Sequence, residues 1–131
     1  MAVLIDTSAW VEFLRATGSP VDGRVTAIVA HEPYAITDIV MAELLVGARS
    51  DAAVRRVRGI ADTGRFFAVR PLFDYETAAD IALTCRSAGR SVGLPDCLIA
   101  AVAMNNDLEV LAADRGFASI AELVPLRLAE F

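Results

Sequence analysis

Short apolar runs alternate along this chain with longer stretches of helical periodicity. Runs of strand length occur at Val3–Ile5, Tyr34–Ile36, Phe66–Val69, Val110–Ala112 and Val124–Leu128. The clearest helix is predicted over Asp74–Ala88, with Tyr75, Ala78, Ala79, Ala82 and Cys85 at the spacing of one buried face and Asp74 as its N-cap. Asp38 is expected to cap a helix through Val40, Met41, Leu44, Leu45 and Ala48, and Ser50 to cap the arginine-bearing segment after it. Pro95 is expected to open a helix carrying Leu98, Ile99, Val102 and Ala103. Turn signals are spread evenly, without a repeat, low-complexity tract or linker. Short strands alternating with helices predict one domain over residues 1–131, of three-layer α/β class, its mainly parallel sheet covered on both faces.

Composition narrows the function classes. With 131 residues, 56% of them hydrophobic and 22% charged, the chain has the makings of a real core, and disorder is not expected. No apolar run approaches the roughly 18 residues of a membrane span, and no basic segment precedes a cleavable apolar one, so the expectation is a cytoplasmic protein with no membrane partner. Two cysteines and a single histidine, His31, support neither a disulfide framework nor a zinc cluster. Any metal would have to be a hard ion taking oxygen ligands, such as magnesium or manganese. The net charge of −5 argues against coating nucleic acid through a basic surface. All twelve basic residues are arginine, however, and Arg49, Arg55, Arg56, Arg58, Arg65 and Arg70 crowd one third of the chain. Arginine suits bidentate phosphate recognition, and equally a solvated helix face.

Four of the seventeen acids stand where a carboxylate is costly. Asp6 directly follows Val3–Ile5, Glu43 lies within Met41-Ala42-Glu43-Leu44-Leu45, Asp96 within Leu94-Pro95-Asp96-Cys97-Leu98-Ile99, and Asp114 follows Val110-Leu111-Ala112-Ala113. An unpaired carboxylate in such surroundings loses several kcal/mol of hydration. Singly, each has a structural explanation: Asp6 and Asp96 as helix caps, Asp114 as a turn acid before Gly116, Glu43 as partner of an arginine such as Arg49. Jointly they point elsewhere. In parallel α/β sheets ligands bind beyond the carboxyl ends of the strands, where Asp6 and Asp114 would project and where helices can bring Glu43 and Asp96. Four converging carboxylates repel one another unless protons or a cation intervene, and magnesium is the natural counter-ion.

At these residues the chain resembles the PIN-domain family, in particular the VapC toxins of type II toxin–antitoxin systems. The resemblance rests on Asp6-Thr7-Ser8-Ala9, Ala42-Glu43-Leu44-Leu45-x-Gly47-Ala48, Leu94-Pro95-Asp96-Cys97-Leu98-Ile99-Ala100-Ala101 and Leu111-x-x-Asp114-x-x-Phe117-x-x-Ile120, four motifs in order over nearly the whole length. It implies a three-layer α/β/α fold with a mainly parallel five-stranded sheet, a magnesium- or manganese-dependent endoribonuclease site and a VapB-type antitoxin partner. Asp6, Glu43, Asp96 and Asp114 become the catalytic, metal-holding acids, with Thr7 and Ser8 as supporting hydroxyls. Two positions depart from the family's pattern: Ala112 stands where threonine is common, and Gly116 where a further acid is common.

The expected chemistry is metal activation of water for in-line attack on a phosphodiester, which needs no histidine. Arg15, Arg49, Arg86, Arg90 and Arg115 lie nearest the motifs and are expected to gather RNA backbone. A shallow sheet-edge site favours single-stranded or loop RNA, such as that of tRNA. Apolar segments at Trp10–Leu14 and Val25–Val29 are expected to exceed what one core covers, which implies a homodimer. Two rivals stay open. The same fold can serve as a catalytically silent binding module. Leu4-Ile5-Asp6-Thr7-Ser8-Ala9 also resembles the signature of aspartic proteases, although those are β-rich and leave Glu43, Asp96 and Asp114 unexplained.

Overall fold

The computed structural model describes residues 2–131, arranged as a parallel sheet between helices. β1 (Val3–Ile5) lies inside the sheet, pairing in parallel with β2 (Tyr34–Ile36) on one side and β4 (Glu109–Leu111) on the other. Leu4 stands opposite both Ala35 and Val110. β3 (Arg65–Phe66) completes the order β3-β2-β1-β4. All three residues of β1 and of β2 are buried, as helices on both faces of a parallel sheet require.

The sheet has four strands, which corrects the expectation of five. The segment around Val124–Leu128 reaches β4 only through an isolated bridge between Val110 and Leu128. There Val110 N donates to Arg127 O (3.0 Å) and Ala129 N to Val110 O (2.8 Å). Pro125 has no N–H to offer, and Leu126 N is spent locally on Val124 O (2.7 Å), so the ladder cannot extend. β3 is likewise shorter than the apolar run that announced it. After Phe67 N donates to Ile36 O, the chain turns away and Val69 N donates to Asp38 Oδ1 (3.0 Å).

The helices are α1 (Thr7–Leu14), α2 (Pro20–His31), α3 (Asp38–Gly47), α4 (Asp51–Thr63), α5 (Phe73–Ser87), α6 (Leu94–Asn105) and α7 (Gly116–Ala121). Ser50 caps α4 by accepting from Ala53 N (3.1 Å), and Pro95 sits in the first turn of α6. α3 is capped by Thr37, not Asp38, because the threonine hydroxyl reaches Ile39 N. α5 begins one residue before Asp74, after Leu72 at φ 63°. Its buried face is Asp74, Ala78, Ile81 and Cys85, while Tyr75 and Ala79 are exposed. Asp74 is thus a buried acid: it accepts from Arg70 N (2.7 Å) and from Asn105 Nδ2 (2.7 Å), linking α5 to α6.

Every residue from Cys97 to Ala103 of α6 is buried. A helix apolar all round and rich in alanine permits close approach from several sides, and it anchors the element that carries Asp96. Trp10, Val25 and Ile28 are fully buried in the protein's own core, with the Trp10 ring edge-on to Tyr34 at 5.3 Å. Part of the apolar surplus assigned from sequence to a dimer contact is therefore internal, while Val11, Phe13 and Leu14 are half-buried and Val29 is exposed. Among the described residues no helix is long and apolar enough to cross a membrane.

Candidate active site

The chain passes from β1 outward to β2 and β3, then returns to place β4 on the opposite side of β1. The gap beyond the carboxyl ends of β1 and β4 is the switch point where such sheets take ligands. Asp6 emerges there. Its N–H donates to Leu111 O (2.9 Å), which carries the β1–β4 pairing one residue further, and its side chain caps α1. Oδ2 of Asp6 accepts from Ser8 N (3.0 Å) and Ser8 Oγ (2.7 Å), yet the residue is only 3% exposed. The Ser8 hydroxyl in turn accepts from Ala113 N (2.9 Å), so one side chain ties the loop after β4 to the acid that ends β1.

The other three acids arrive from separate elements. Thr7 Oγ1 donates to Glu43 Oε1 (2.7 Å), holding the α3 glutamate against the start of α1. Asp114 Oδ1 accepts from Gly116 N (2.8 Å), so it is a turn acid as well as a neighbour of the site. A Cβ added to Gly116 would stand 3.0 Å from Asp96 Oδ2 and 3.2 Å from Asp114 Oδ1. The glycine is the wall against which both carboxylates lie, and a side chain there would push them. Glu43 and Asp114 are exposed, Asp96 is half-buried and Asp6 is buried.

The electrostatics show that the four act on one another. Burial raises the Asp6 carboxyl above its ordinary value, the two Ser8 bonds oppose that shift, and the Asp114 charge adds to it. Asp96 is pushed up to about 6, first by burial and then by the charges of Asp114, Asp6 and Glu43. All donors are carboxylate or hydroxyl oxygen, the set a hard divalent cation takes, and mutual repulsion is what such a cation relieves. The carboxylates converge without closing: among the described residues no three acid, histidine or cysteine side chains form a ready-made metal cage.

The arginines divide. Arg15, at the C-terminal end of α1, lines a cleft together with Glu43, and Arg115 is exposed beside Asp114. Arg49 is exposed in the α3–α4 connection. Arg86 is exposed near the end of α5, where it shares a depression with Arg90. Arg90 is occupied structurally, donating to Ser119 O (2.9 Å) and pairing with Glu122 (2.6 Å), which pins the α5–α6 connection to α7. Sequence proximity to the motifs missed Arg56, which lines the same cleft as Arg15 and Glu43. Its signal was present in the spacing Ala53, Arg56, Val57, Ile60, one face of α4.

Comparison with known proteins supplies the context for this geometry. The model of the PIN domain family matches residues 3–123. Ribonuclease VapC11 of Mycobacterium tuberculosis is 34% identical over 132 aligned residues, with 98% of each chain covered. The structure of VapBC-1 from nontypeable Haemophilus influenzae superposes with a TM-score of 0.78 at 18% identity, covering 99% of this chain and 98% of that one. VapBC2 from Rickettsia felis, bound to a DNA fragment from the promoter, gives 0.76 at 16% identity over 100% and 99%. At those identities the structural likeness is one of fold.

Proposed function

This chain belongs to the PIN-domain family and is homologous to VapC ribonucleases, and on that premise we propose that it is a magnesium-dependent endoribonuclease, the toxin of a type II toxin–antitoxin pair. The observation that carries the reading is the convergence of the acids at the sheet's switch point: Asp96 Oδ2 and Asp114 Oδ1 lie against Gly116, Ser8 ties Asp6 to the loop before Asp114, and Thr7 beside Asp6 holds Glu43. Asp6 and Asp96 would be the principal holders of the ion, with Glu43 and Asp114 beside them. Bound there, magnesium or manganese supplies a water of lowered pKa and neutralises charge on the phosphodiester. Ser8 holds Asp6 in place with two hydrogen bonds, and Thr7 holds Glu43. An RNA strand reaches a site open on the sheet edge most readily when single-stranded or looped. A VapB-type antitoxin is the proposed protein partner, in keeping with solved neighbours that are toxin–antitoxin complexes.

The test is cleavage of total RNA, with fragment 5′ ends mapped, in magnesium and in chelator. Wild-type protein is expected to cut only with metal. Asp6→Asn retains a capping oxygen and is expected to fold but not to cut. Undiminished cutting in chelator, or by Asp6→Asn, overturns the proposal, and a folded wild type that cuts no RNA leaves the binding-module reading in its place.

A further inference from the structure

We infer, on the ribonuclease reading above, that the depression between β4, α7 and the C-terminal segment is a base-stacking subsite, which takes the base of the RNA nucleotide next to the phosphodiester that is cut. It holds about 280 Å³, near the small end of ligand-sized cavities. Val110 of β4, Phe117 of α7, Leu128 and Phe131 line it, and the rest of its apolar lining is alanine. Among the described residues Asp114 and Arg115 are the charged ones that line it. Asp114 and Asp96 lie against the same glycine, Gly116, so the depression opens directly from the acid cluster. β4 pairs with β1 on the side away from β2, and α3, which carries Glu43, follows β2. The depression thus extends the site at its Asp114 end.

Two features without an internal partner select the occupant. The Phe131 ring is 60% exposed and Leu128 37%, so the protein's own packing leaves a flat apolar surface in water beside a wall of alanines. Arg115 forms no ion pair among the described residues, even with its sequence neighbour Asp114. Its guanidinium is therefore open to an anion, and the Asp114 carboxylate stays open to the cation. An aromatic face, an unpaired arginine and small side chains are what hold an unpaired base. The base stacks on the ring, since every base has such a face, and the phosphate joined to its sugar meets the guanidinium. The negative charge of the backbone is then met by the divalent ion at the acids and by Arg115, not by bare carboxylates. Continuity with the acids makes the assignment specific: a phosphodiester held at the ion brings its neighbouring base within one sugar's reach of Asp114, and Phe131 and Arg115 share a depression with that acid.

The experiment measures steady-state cleavage of a single-stranded oligonucleotide containing the mapped cut site, in magnesium. Phe131→Ala is expected to raise KM about tenfold with a much smaller change in kcat, the effect of losing one stacked base. Its Tm should match wild type, because the ring is mostly exposed. Phe131→Tyr keeps the ring and should hold KM within about twofold of wild type. Arg115→Gln should raise KM severalfold and flatten the salt dependence of log KM by about 0.7, the single-strand value for one phosphate contact. Arg58→Gln, exposed, free of ion pairs among the described residues and outside the depression, is the control and should do neither. An abasic residue is placed on either side of the cut in turn. At one of the two positions it should raise KM about tenfold for the wild type and add little in Phe131→Ala, since base and ring are partners in one contact. If RNA is cut but KM ignores Phe131→Ala, Arg115→Gln and both abasic positions, the subsite is overturned and the ribonuclease reading stands. If KM ignores them while Phe131→Ala shifts the protein to a smaller species in size exclusion, the ring packs on a second copy and the subsite is again overturned. If wild type cuts no RNA, the ribonuclease reading fails and takes the subsite with it.

Discussion

The acid cluster makes a prediction opposite in sign to the usual effect of damaging a site: without metal, Asp96→Asn should stabilise the protein. In the folded chain Asp96 is held at about 6, against an ordinary value of 3.8 that the unfolded chain keeps. Between those values the folded state binds more protons than the unfolded state, so stability falls as pH rises through that window and stays low above it. At neutral pH the ionised carboxylate therefore works against the fold. A shift of roughly two units corresponds to about 3 kcal/mol at most, and solvent screening of a half-exposed group reduces this to about 1 to 1.5 kcal/mol. For a domain of this size that is a rise of roughly 3 to 5 °C in Tm. Asparagine keeps the shape of the side chain and cannot ionise. Thermal melts in chelator should show the variant above wild type at about pH 7.5, with the advantage shrinking below about pH 6 and gone near pH 4. Added magnesium should raise the wild-type Tm by linkage and leave Asp96→Asn nearly unmoved. An asparagine variant that melts below wild type in chelator at neutral pH, or an advantage that is the same at both ends of the pH range, refutes the reasoning.

Other consequences are more local. Gly116→Ala places a methyl group 3.0 Å and 3.2 Å from the Asp96 and Asp114 oxygens, and should raise the magnesium concentration for half-maximal cleavage severalfold. Its stability should change by no more than about 0.5 kcal/mol, which a denaturant melt checks. Asp74→Ala removes a buried acceptor from both Arg70 N and Asn105 Nδ2, and should cost about 3 kcal/mol in urea unfolding. Leu72 stands 72% exposed at φ 63° and ψ −54°, with Phe73 N donating to Pro71 O (2.9 Å) across it, a strained three-residue turn. Leu72→Gly should therefore gain about 0.5 to 1 kcal/mol, the left-handed penalty less the glycine entropy cost, and raise Tm.

How much of this was legible in the sequence depends on the distance over which each feature is decided. Buried parallel strands announce themselves as short apolar runs, and four of the five runs became strands. Val124–Leu128 had the composition but not the hydrogen bonds, and Pro125 was the local clue against a full ladder. Asp74 reads as a helix cap because acids before apolar periodicity usually are; what makes it a buried tie is Asn105, on another helix and 31 residues away. The four site acids were visible because a charge beside an apolar run is anomalous at short range. Two of their ordinary explanations hold and two do not: Gly93, not Asp96, stands at the cap of α6, and Glu43 bonds Thr7 and no arginine among the described residues. Asp6 does cap α1 and Asp114 does hold a turn, and those same bonds fix where their free oxygens point. The arginines show the limit of sequence proximity. Arg90 follows the α5 helix and precedes the Asp96 motif closely, yet Glu122 and Ser119 occupy it. Arg56 is separated from Glu43 by the last turn of α3, a short connection and the first turn of α4, but α4 folds back against α3 and brings it to the same cleft as that acid. A guanidinium's role is set by the carboxylate or carbonyl it meets in three dimensions, so which arginines are free to take an anion is decided by which ones the fold leaves unpaired.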